Sequence, residues 1–278
     1  MGPNTSRLGA RDHRVQRLRR LLRRSSVRDI EHAFVGEGVR IVEAALDASA
    51  PVESLFVAAD WRSSTSVTAV VDRATRTGIT VFELGPGIME RVADTVSPQG
   101  VCAVVRAVDR GLDDLLSKPA PSFGEGLVLV CVDVRDPGNL GAVLRIAGAT
   151  RVAGVICCAG SVDPFNPKVV RASAGAVFSV PLVSGVAATD ALTSLSGLGY
   201  RCWATVPKGG TDYAVADLDG PTALVLGNEG AGLPGEVVSL LDGGSLTIPM
   251  APGTESLNVA MTAAVLCFDA VRRRRTVT

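Results

Sequence analysis

The chain has 278 residues, 47% hydrophobic and 20% charged with a formal net charge of zero, so a packed core is affordable and global disorder is excluded. Aromatic residues make up only 4%, which argues against a polymer-binding surface built chiefly on base stacking. No apolar run approaches the roughly 18–20 residues that a membrane helix needs. The neutrality hides an uneven distribution: nine arginines lie between Arg7 and Arg28 against one acid, Asp12, and residues 272–275 are four arginines in a row. Cationic ends suggest a polyanion partner, because phosphate contacts release counterions. Solvated tails explain the charge alone equally well.

Apolar periodicity predicts alternating helices and strands. Val15, Leu18, Leu21 and Leu22 fall on one face of a short helix whose other faces are arginine, and residues 39–46 form a second helix. Then come a strand at 55–58, a helix at 66–76, a strand at 79–83, a short helix at 87–94 and a strand at 101–107. A polar stretch follows, ending in Lys118-Pro119-Ala120-Pro121, and a domain boundary is placed there. The second half restarts with the continuous apolar run 127–134, suited to a strand buried on both faces of a parallel sheet. Helices at 138–149, 167–175, 187–196 and 256–271 alternate with strands at 154–158, 180–183, 201–206, 223–226 and 246–248. The pattern is α/β with a mostly parallel sheet.

Six cysteines form no C-x-x-C pair and sit in strand-like runs such as Val155-Ile156-Cys157-Cys158. They read as small buried hydrophobes of a reducing compartment, with no disulfide framework. Both histidines precede residue 33, which argues against a His-ligated metal, and no metal is expected. The arginine-rich, acid-poor start has the composition of a transit peptide, but no apolar segment follows it. A cytoplasmic protein is the expectation.

Four segments carry polar residues at strand exits, where sites of parallel sheets gather. In Asp136-Pro137-Gly138-Asn139-Leu140-Gly141-x3-Arg145 a buried strand turns into a helix, with Asn139 at its opening and Arg145 two turns along. A capping Asn and a surface arginine would explain both. In Pro167-Lys168-Val169-Val170-Arg171, Lys168 and Arg171 share a helix face near its start and could clamp a phosphate; an exposed basic turn explains them almost as well. Leu226-Gly227-Asn228-Glu229-Gly230-Ala231-Gly232 places several glycines after a strand, permitting close backbone approach to a ligand. Residues 230–235 spell G-x-G-x-x-G, but too little chain follows to build a dinucleotide-binding sheet. Finally, Ile248-Pro249-Met250 leads through a Pro/Gly-rich loop to Ser256-Leu257-Asn258, where capping alone would account for Ser256.

In this order and spacing the segments resemble the three signature motifs of the SpoU (TrmH) family, within the SPOUT superfamily of RNA methyltransferases. The matches are Asn139-x-Gly141-x3-Arg145, then 226–233, then Ile248-Pro249-Met250 with Ser256–Ala260, and segment 167–175 also fits. The N-terminal half, through Phe34-Val35-Gly36-Glu37-Gly38 and Gln99-Gly100-Val101, resembles the ribosomal-protein-like substrate-binding domain often joined to this enzyme. The resemblance implies a C-terminal trefoil-knotted SPOUT domain at 126–278, preceded by a smaller α/β L30e-like domain at 29–108. An Arg-rich arm (1–28) and a linker (109–125) complete this division. It implies S-adenosylmethionine-dependent methylation of a ribose 2′-oxygen by a homodimer, with RNA as partner and 23S ribosomal RNA favoured. Transfer RNA, or a non-catalytic role in RNA binding or ribosome assembly, are the alternatives. Donor binding carries over to Thr205, Gly227, Asn228, Gly230, Ile248 and Leu257. The catalytic arginine carries over to Arg145, with Asn139, Glu229, Ser256 and Asn258 as the supporting polar set. RNA contacts are expected from Lys168, Arg171, Arg17, Arg20 and Arg24. A guanidinium is a poor base, so Arg145 is expected to pair with the substrate phosphate and stabilise the developing alkoxide. Residues 257, 260, 261, 264, 265 and 268 are expected to share one broad helix face, part of it at the dimer interface.

Overall fold

A computed structural model describes residues 7–107, 109, 111–116 and 124–276. Their contacts divide the chain into two units, one comprising 1–108 with 165–178 and the other 109–164 with 179–278.

The first unit contains β1 (Arg7–Leu8), α1 (His13–Arg23), α2 (Ser25–Glu31), β2 (Ala33–Glu37), α3 (Val39–Asp47), β3 (Val52–Val57), α4 (Thr65–Arg76), β4 (Thr80–Leu84), α5 (Ile88–Val92) and β5 (Val101–Arg106). Its sheet runs β1-β4-β3-β5-β2, with β5 antiparallel to both neighbours. Asp12 caps α1 through its side chain. Val15, Leu18, Leu21 and Leu22 are buried against Leu8, Phe56, Leu84 and Met89. The arginine-rich segment, expected as an arm of its own, is therefore part of this core: its apolar stripe has nowhere else to hide. Arg28 is itself buried and donates to the Leu21 carbonyl at 2.7 Å. β2 was not among the predicted strands. Its Gly36 and Glu37 break the apolar run, yet every residue of it is buried.

The second unit begins with α6 (Leu112–Leu116), inside the stretch expected to be a linker; Leu115 is buried in this unit's core. Residues 117–123, with the Pro119 and Pro121 on which the boundary rested, lie outside the described residues. Then follow β6 (Gly124–Cys131), α7 (Pro137–Thr150) and β7 (Val152–Cys158). The next helix, α8 (Pro167–Ala172), belongs by its contacts to the first unit, although its segment was expected in the C-terminal domain. The Phe34 ring lies 4.8 Å from Phe165 and 5.8 Å from Phe178, which fastens both ends of that insert to β2. The second unit resumes with β8 (Leu182–Val186), α9 (Ala188–Gly197), β9 (Arg201–Thr205), β10 (Thr211–Asp212), β11 (Thr222–Leu226), α10 (Gly235–Val238), β12 (Gly244–Thr247) and α11 (Val259–Thr276).

All seven strands are parallel, in the order β10-β12-β9-β11-β6-β7-β8. The chain winds outward from β6 through β7 to β8, crosses to the other side, and inserts β11 between β9 and β6. Parallel neighbours end on the same edge, so the segments leaving β6, β9, β11 and β12 meet at a switch point of the sheet.

α11 departs from expectation in two ways. It starts at Val259, not Ser256, because Asn258 is its cap. Its apolar residues also do not form a single face. Ala260, Ala263, Leu266 and Cys267 are buried within the unit, while Met261, Val265 and Phe268 are exposed. All six cysteines are free and buried, and burial pushes the thiols of Cys158, Cys202 and Cys267 up to about 12. Among the described residues no helix is long and apolar enough to cross a membrane.

Candidate active site

The exit of β11 is shaped by one side chain. Asn228 accepts on Oδ1 from the backbone N–H groups of Gly230 (3.0 Å) and Ala231 (2.9 Å), and donates from Nδ2 to the Asp133 carbonyl at 2.9 Å. The backbone N–H groups of Asn228 and Gly232 each donate to the other's carbonyl at 3.0 Å, closing the turn. Both ends of the Asn228 amide are spent on the loop, which leaves its backbone to face the cavity. Gly227 is required for space, since a Cβ there would lie 2.8 Å from the Gly232 carbonyl carbon and oxygen. Gly232 is required for conformation, with φ of +71°. On the neighbouring strand, Thr205 donates from Oγ1 to the Val225 carbonyl at 2.9 Å and ties the exits of β9 and β11 together.

These exits and the 248–257 loop enclose a cavity of about 440 Å³. All six residues expected at the donor, Thr205, Gly227, Asn228, Gly230, Ile248 and Leu257, line it, as do Glu229 and Ser256 from the expected catalytic set. Its walls include Leu246, Ile248 and Leu266. Its charged lining consists of two carboxylates, Glu229 and Glu255, with no Lys or Arg. Such a pocket suits a cationic, partly apolar small molecule and disfavours a phosphorylated one.

At the cavity's edge the polar residues form a chain. Asn258 donates from Nδ2 to Asn139 Oδ1 at 2.8 Å, and Asn139 donates from Nδ2 to Glu229 Oε1 at 2.7 Å. Asn139 is not the cap of α7. Asp136 performs that role by accepting from the Asn139 backbone N–H at 2.9 Å, which frees the Asn139 side chain for the chain. Arg145 stands apart. Six residues on, it lies about 9 Å along α7 and about 120° around it from Asn139. It is exposed, does not line the cavity, and has no hydrogen bond or ion pair among the described residues.

The expected RNA contacts divide. Arg17 is engaged by Glu31 (2.5 Å) and Glu53 (2.8 Å). Arg171 is held by Asp94 at 2.8 Å, with Glu37 4.0 Å away. Both are paired with carboxylates within the first unit. Lys168, Arg20 and Arg24 are exposed and make no ion pair among the described residues. So are Arg19 and Arg23, not singled out from the sequence, although the i, i+4 spacings 19/23 and 20/24 could have marked a basic stripe along α1. The C-terminal arginines are not a tail. Arg273 donates to the carbonyls of Tyr213 (2.6 Å) and Ala216 (2.8 Å), and Arg274 to those of Leu218 (2.9 Å) and Gly220 (2.8 Å). Burial pushes the Arg274 guanidinium down from its usual pKa. These two side chains fasten the 213–220 loop to α11.

The model of the SpoU rRNA methylase family matches residues 126–268, and that of an MRM3-like substrate binding domain matches residues 12–103. The latter starts inside the arginine-rich segment, in keeping with α1 being part of the first core. A protein of Synechocystis sp. described as an uncharacterized tRNA/rRNA methyltransferase is 33% identical over 86% of this chain and 83% of its own length. The 23S rRNA (guanosine(2553)-2'-O)-methyltransferase RlmP of Bacillus subtilis is 29% identical over 85% of this chain and 88% of its own. Among solved structures, an AdoMet-bound rRNA methyltransferase from Sinorhizobium meliloti superposes with a TM-score of 0.81 at 29% identity, covering 97% of this chain and 98% of that one. With the strand-exit motifs in place around one cavity, the chain belongs to the SpoU rRNA methylase family.

Proposed function

We propose that this protein transfers a methyl group from S-adenosylmethionine to a ribose 2′-oxygen of RNA, with 23S ribosomal RNA as the substrate. The observation that carries this reading is the cavity at the ends of β9, β11 and β12, lined by carboxylates and glycines. The residues fit the donor. Its positively charged sulfur and α-ammonium match Glu229 and Glu255, its adenine matches the apolar wall of Leu246, Ile248 and Leu266, and Gly227 and Gly230 leave backbone open to it. When bound, the donor supplies an electrophilic methyl carbon on a cationic sulfur.

The protein's task is then alignment. Holding the 2′-oxygen in line with that carbon removes roughly 7–11 kcal/mol of barrier through orientation. The position of Ser256 on the cavity wall, two residues before Asn258, supports a hydrogen bond from it to the ribose. Arg145, exposed and uncommitted, is available to a substrate phosphate and to the charge developing on oxygen. The exposed Arg19, Arg20 and Arg23 on α1, with Arg24 just after it, give the RNA backbone a basic stripe. The insertion of β11 between β9 and β6, with α11 packed back on α7 and β6, supports the trefoil knot that the resemblance implies. The exposed Met261, Val265 and Phe268, with Leu257 before them, support a homodimer through α11. Sedimentation equilibrium at micromolar concentration should show a dimer for the wild type and a monomer for Phe268→Asp.

Mapping 2′-O-methylation across total RNA, with and without the gene, tests the function. The expected result is loss of a ribose methyl in 23S ribosomal RNA. Loss confined to transfer RNA would overturn the substrate, and no loss at all would overturn the activity.

A further inference from the structure

The end of β2 and the start of β5 meet beside a second cavity, of about 320 Å³, that lies wholly within the first unit. Its lining includes Glu37, Gly38, Arg40, Ile41, Gln99 and Arg171. Glu37 is 5% exposed and its two oxygens accept from the Asp94 backbone N–H (2.9 Å) and the Thr95 hydroxyl. Each of those oxygens keeps a second lone pair. Gln99 is oriented by the backbone: Oε1 accepts from the Val39 N–H at 3.0 Å, so Nε2 faces elsewhere and has no hydrogen bond among the described residues. Gly38 makes this possible, since with its φ of +97° a Cβ would lie 2.8 Å from Gln99 Oε1. Arg171 is held through Nη2 by Asp94 at 2.8 Å. Its Nη1 is buried, stands 4.0 Å from Glu37 Oε2, and has no hydrogen-bond partner among the described residues. A buried donor left unmet is costly, and this one lies in the wall of a cavity.

We propose that this cavity takes one unstacked guanine of the RNA substrate. The proposal rests on the RNA-substrate reading above and gives the first unit a base to read. Charge excludes a phosphate as the occupant: Glu37 and Asp94 offset Arg171 and Arg40, so there is no surplus positive charge to draw one. A neutral base edge matches the groups left unspent, which are donors on Gln99 and Arg171 and a carboxylate beside them. Guanine presents adjacent N1–H and N2–H donors that a carboxylate accepts together, with the O6 acceptor next to them for an amide or guanidinium N–H. Adenine and cytosine offer one amino group on that edge, and uracil a single N–H between two carbonyls. The volume, near the lower end for small-molecule pockets, leaves room for one base. No aromatic ring lines it, so the faces of the base fall to Ile41 and to the planar guanidinium of Arg40. Arg40 is exposed and makes no ion pair among the described residues. On the rim, between the lining residues Thr95 and Ser97, Val96 is fully exposed.

The test is the affinity of the full chain for dye-labelled uridine pentamers whose central nucleotide is guanosine, inosine, adenosine, cytidine or uridine, read by fluorescence anisotropy at one salt concentration. Phosphate contacts are the same in all five RNAs, so their ratios isolate the central base. The guanosine pentamer should bind about tenfold more tightly than those with adenosine, cytidine or uridine. Inosine, which lacks the 2-amino group, should fall behind guanosine in the wild type and draw level with it in Glu37→Gln. Gln99→Glu keeps the acceptor that the Val39 N–H needs, removes the donor, and should cut the guanosine preference to about twofold or less. This variant alters an exposed side chain, so it decides the matter if Glu37→Gln fails to fold. Wild-type affinities within about twofold of one another, preference for another base, or a preference unchanged in Gln99→Glu would overturn the assignment. Transfer of labelled methyl to 23S ribosomal RNA is measured on the same wild-type protein. Guanosine preference without methyl transfer would remove the proposed reaction and keep the site, and transfer without preference would remove the site alone.

Discussion

Replacing Gly227 by alanine puts one methyl group where the structure has no room. The new Cβ would sit 2.8 Å from the carbonyl carbon and oxygen of Gly232 and 3.0 Å from Leu233 Cγ. The leucine can rotate, but the Gly232 carbonyl is fixed by the reciprocal pair of 3.0 Å hydrogen bonds with Asn228. Relief requires the two sides of the turn to separate and those bonds to stretch or break. At about 0.5–1.5 kcal/mol net for each bond, the cost is about 1–3 kcal/mol, within the range of an overpacking substitution. The same turn forms one wall of the cavity, and a wall displaced by a few tenths of an ångström loses the backbone contacts it offers a ligand. The expected outcome is a folded protein by circular dichroism whose affinity for S-adenosylmethionine, titrated by calorimetry, falls about tenfold to a hundredfold, the equivalent of that cost. A Gly227→Ala variant that binds the donor within about twofold of wild type would refute the claim that this turn shapes the donor site.

Other expectations follow from the same geometry. Arg145→Lys should lose most methyl transfer, because a point charge replaces the planar fork, while donor affinity is unchanged; full activity would remove Arg145 from the reaction. Exchanging both Arg20 and Arg24 for Glu should weaken RNA binding and flatten the dependence of log K on log salt by about 0.7–0.9 for each phosphate no longer neutralised, whereas Arg273→Ala should leave the slope alone and destabilise the 213–220 loop. Acid should unfold the first unit first. The Arg14 side chain holds the Asp12 carboxyl down at about 2, and Arg7, seconded by Arg62, lowers that of Glu83. Carboxyls lowered by folding stabilise above their unfolded pKa of about 4, and that stability is lost as pH falls through the folded values, so the loss belongs between about pH 4 and 2. Thermal melts over that range should show a smaller loss for Glu83→Gln than for wild type; equal losses would contradict the assignment.

The site was legible because its requirements are local. Glycines at 227, 230 and 232, prolines at 249 and 252, and polar side chains at strand exits announce backbone turned towards a ligand, and a parallel sheet brings such exits to one edge. What was not legible depended on partners distant in sequence. Arg17 looks free until Glu31 and Glu53 are folded against it, and Arg171 until Asp94 is. The four terminal arginines read as a tail because nothing in their neighbourhood shows the carbonyls of 213–220 that two of them grip. Residues 165–178 follow β7 in the chain, yet Phe165 and Phe178 pack on Phe34, more than a hundred residues earlier. Asn139 looks like a cap because caps are assigned by residue type, and Asp136, three positions before it, has the better geometry. Finally, the first ten residues of α11 are apolar almost all round, so periodicity alone cannot separate its inward stripe from the exposed Met261, Val265 and Phe268.

Calorimetric titration of the purified, folded chain with S-adenosylmethionine bears most directly on the pocket formed by the exits of β9, β11 and β12. Saturable binding at one site per chain, weakened by Gly227→Ala and by Glu255→Gln, is the predicted result. Heat no different from dilution, with either the donor or S-adenosylhomocysteine and with 23S ribosomal RNA present, would contradict it.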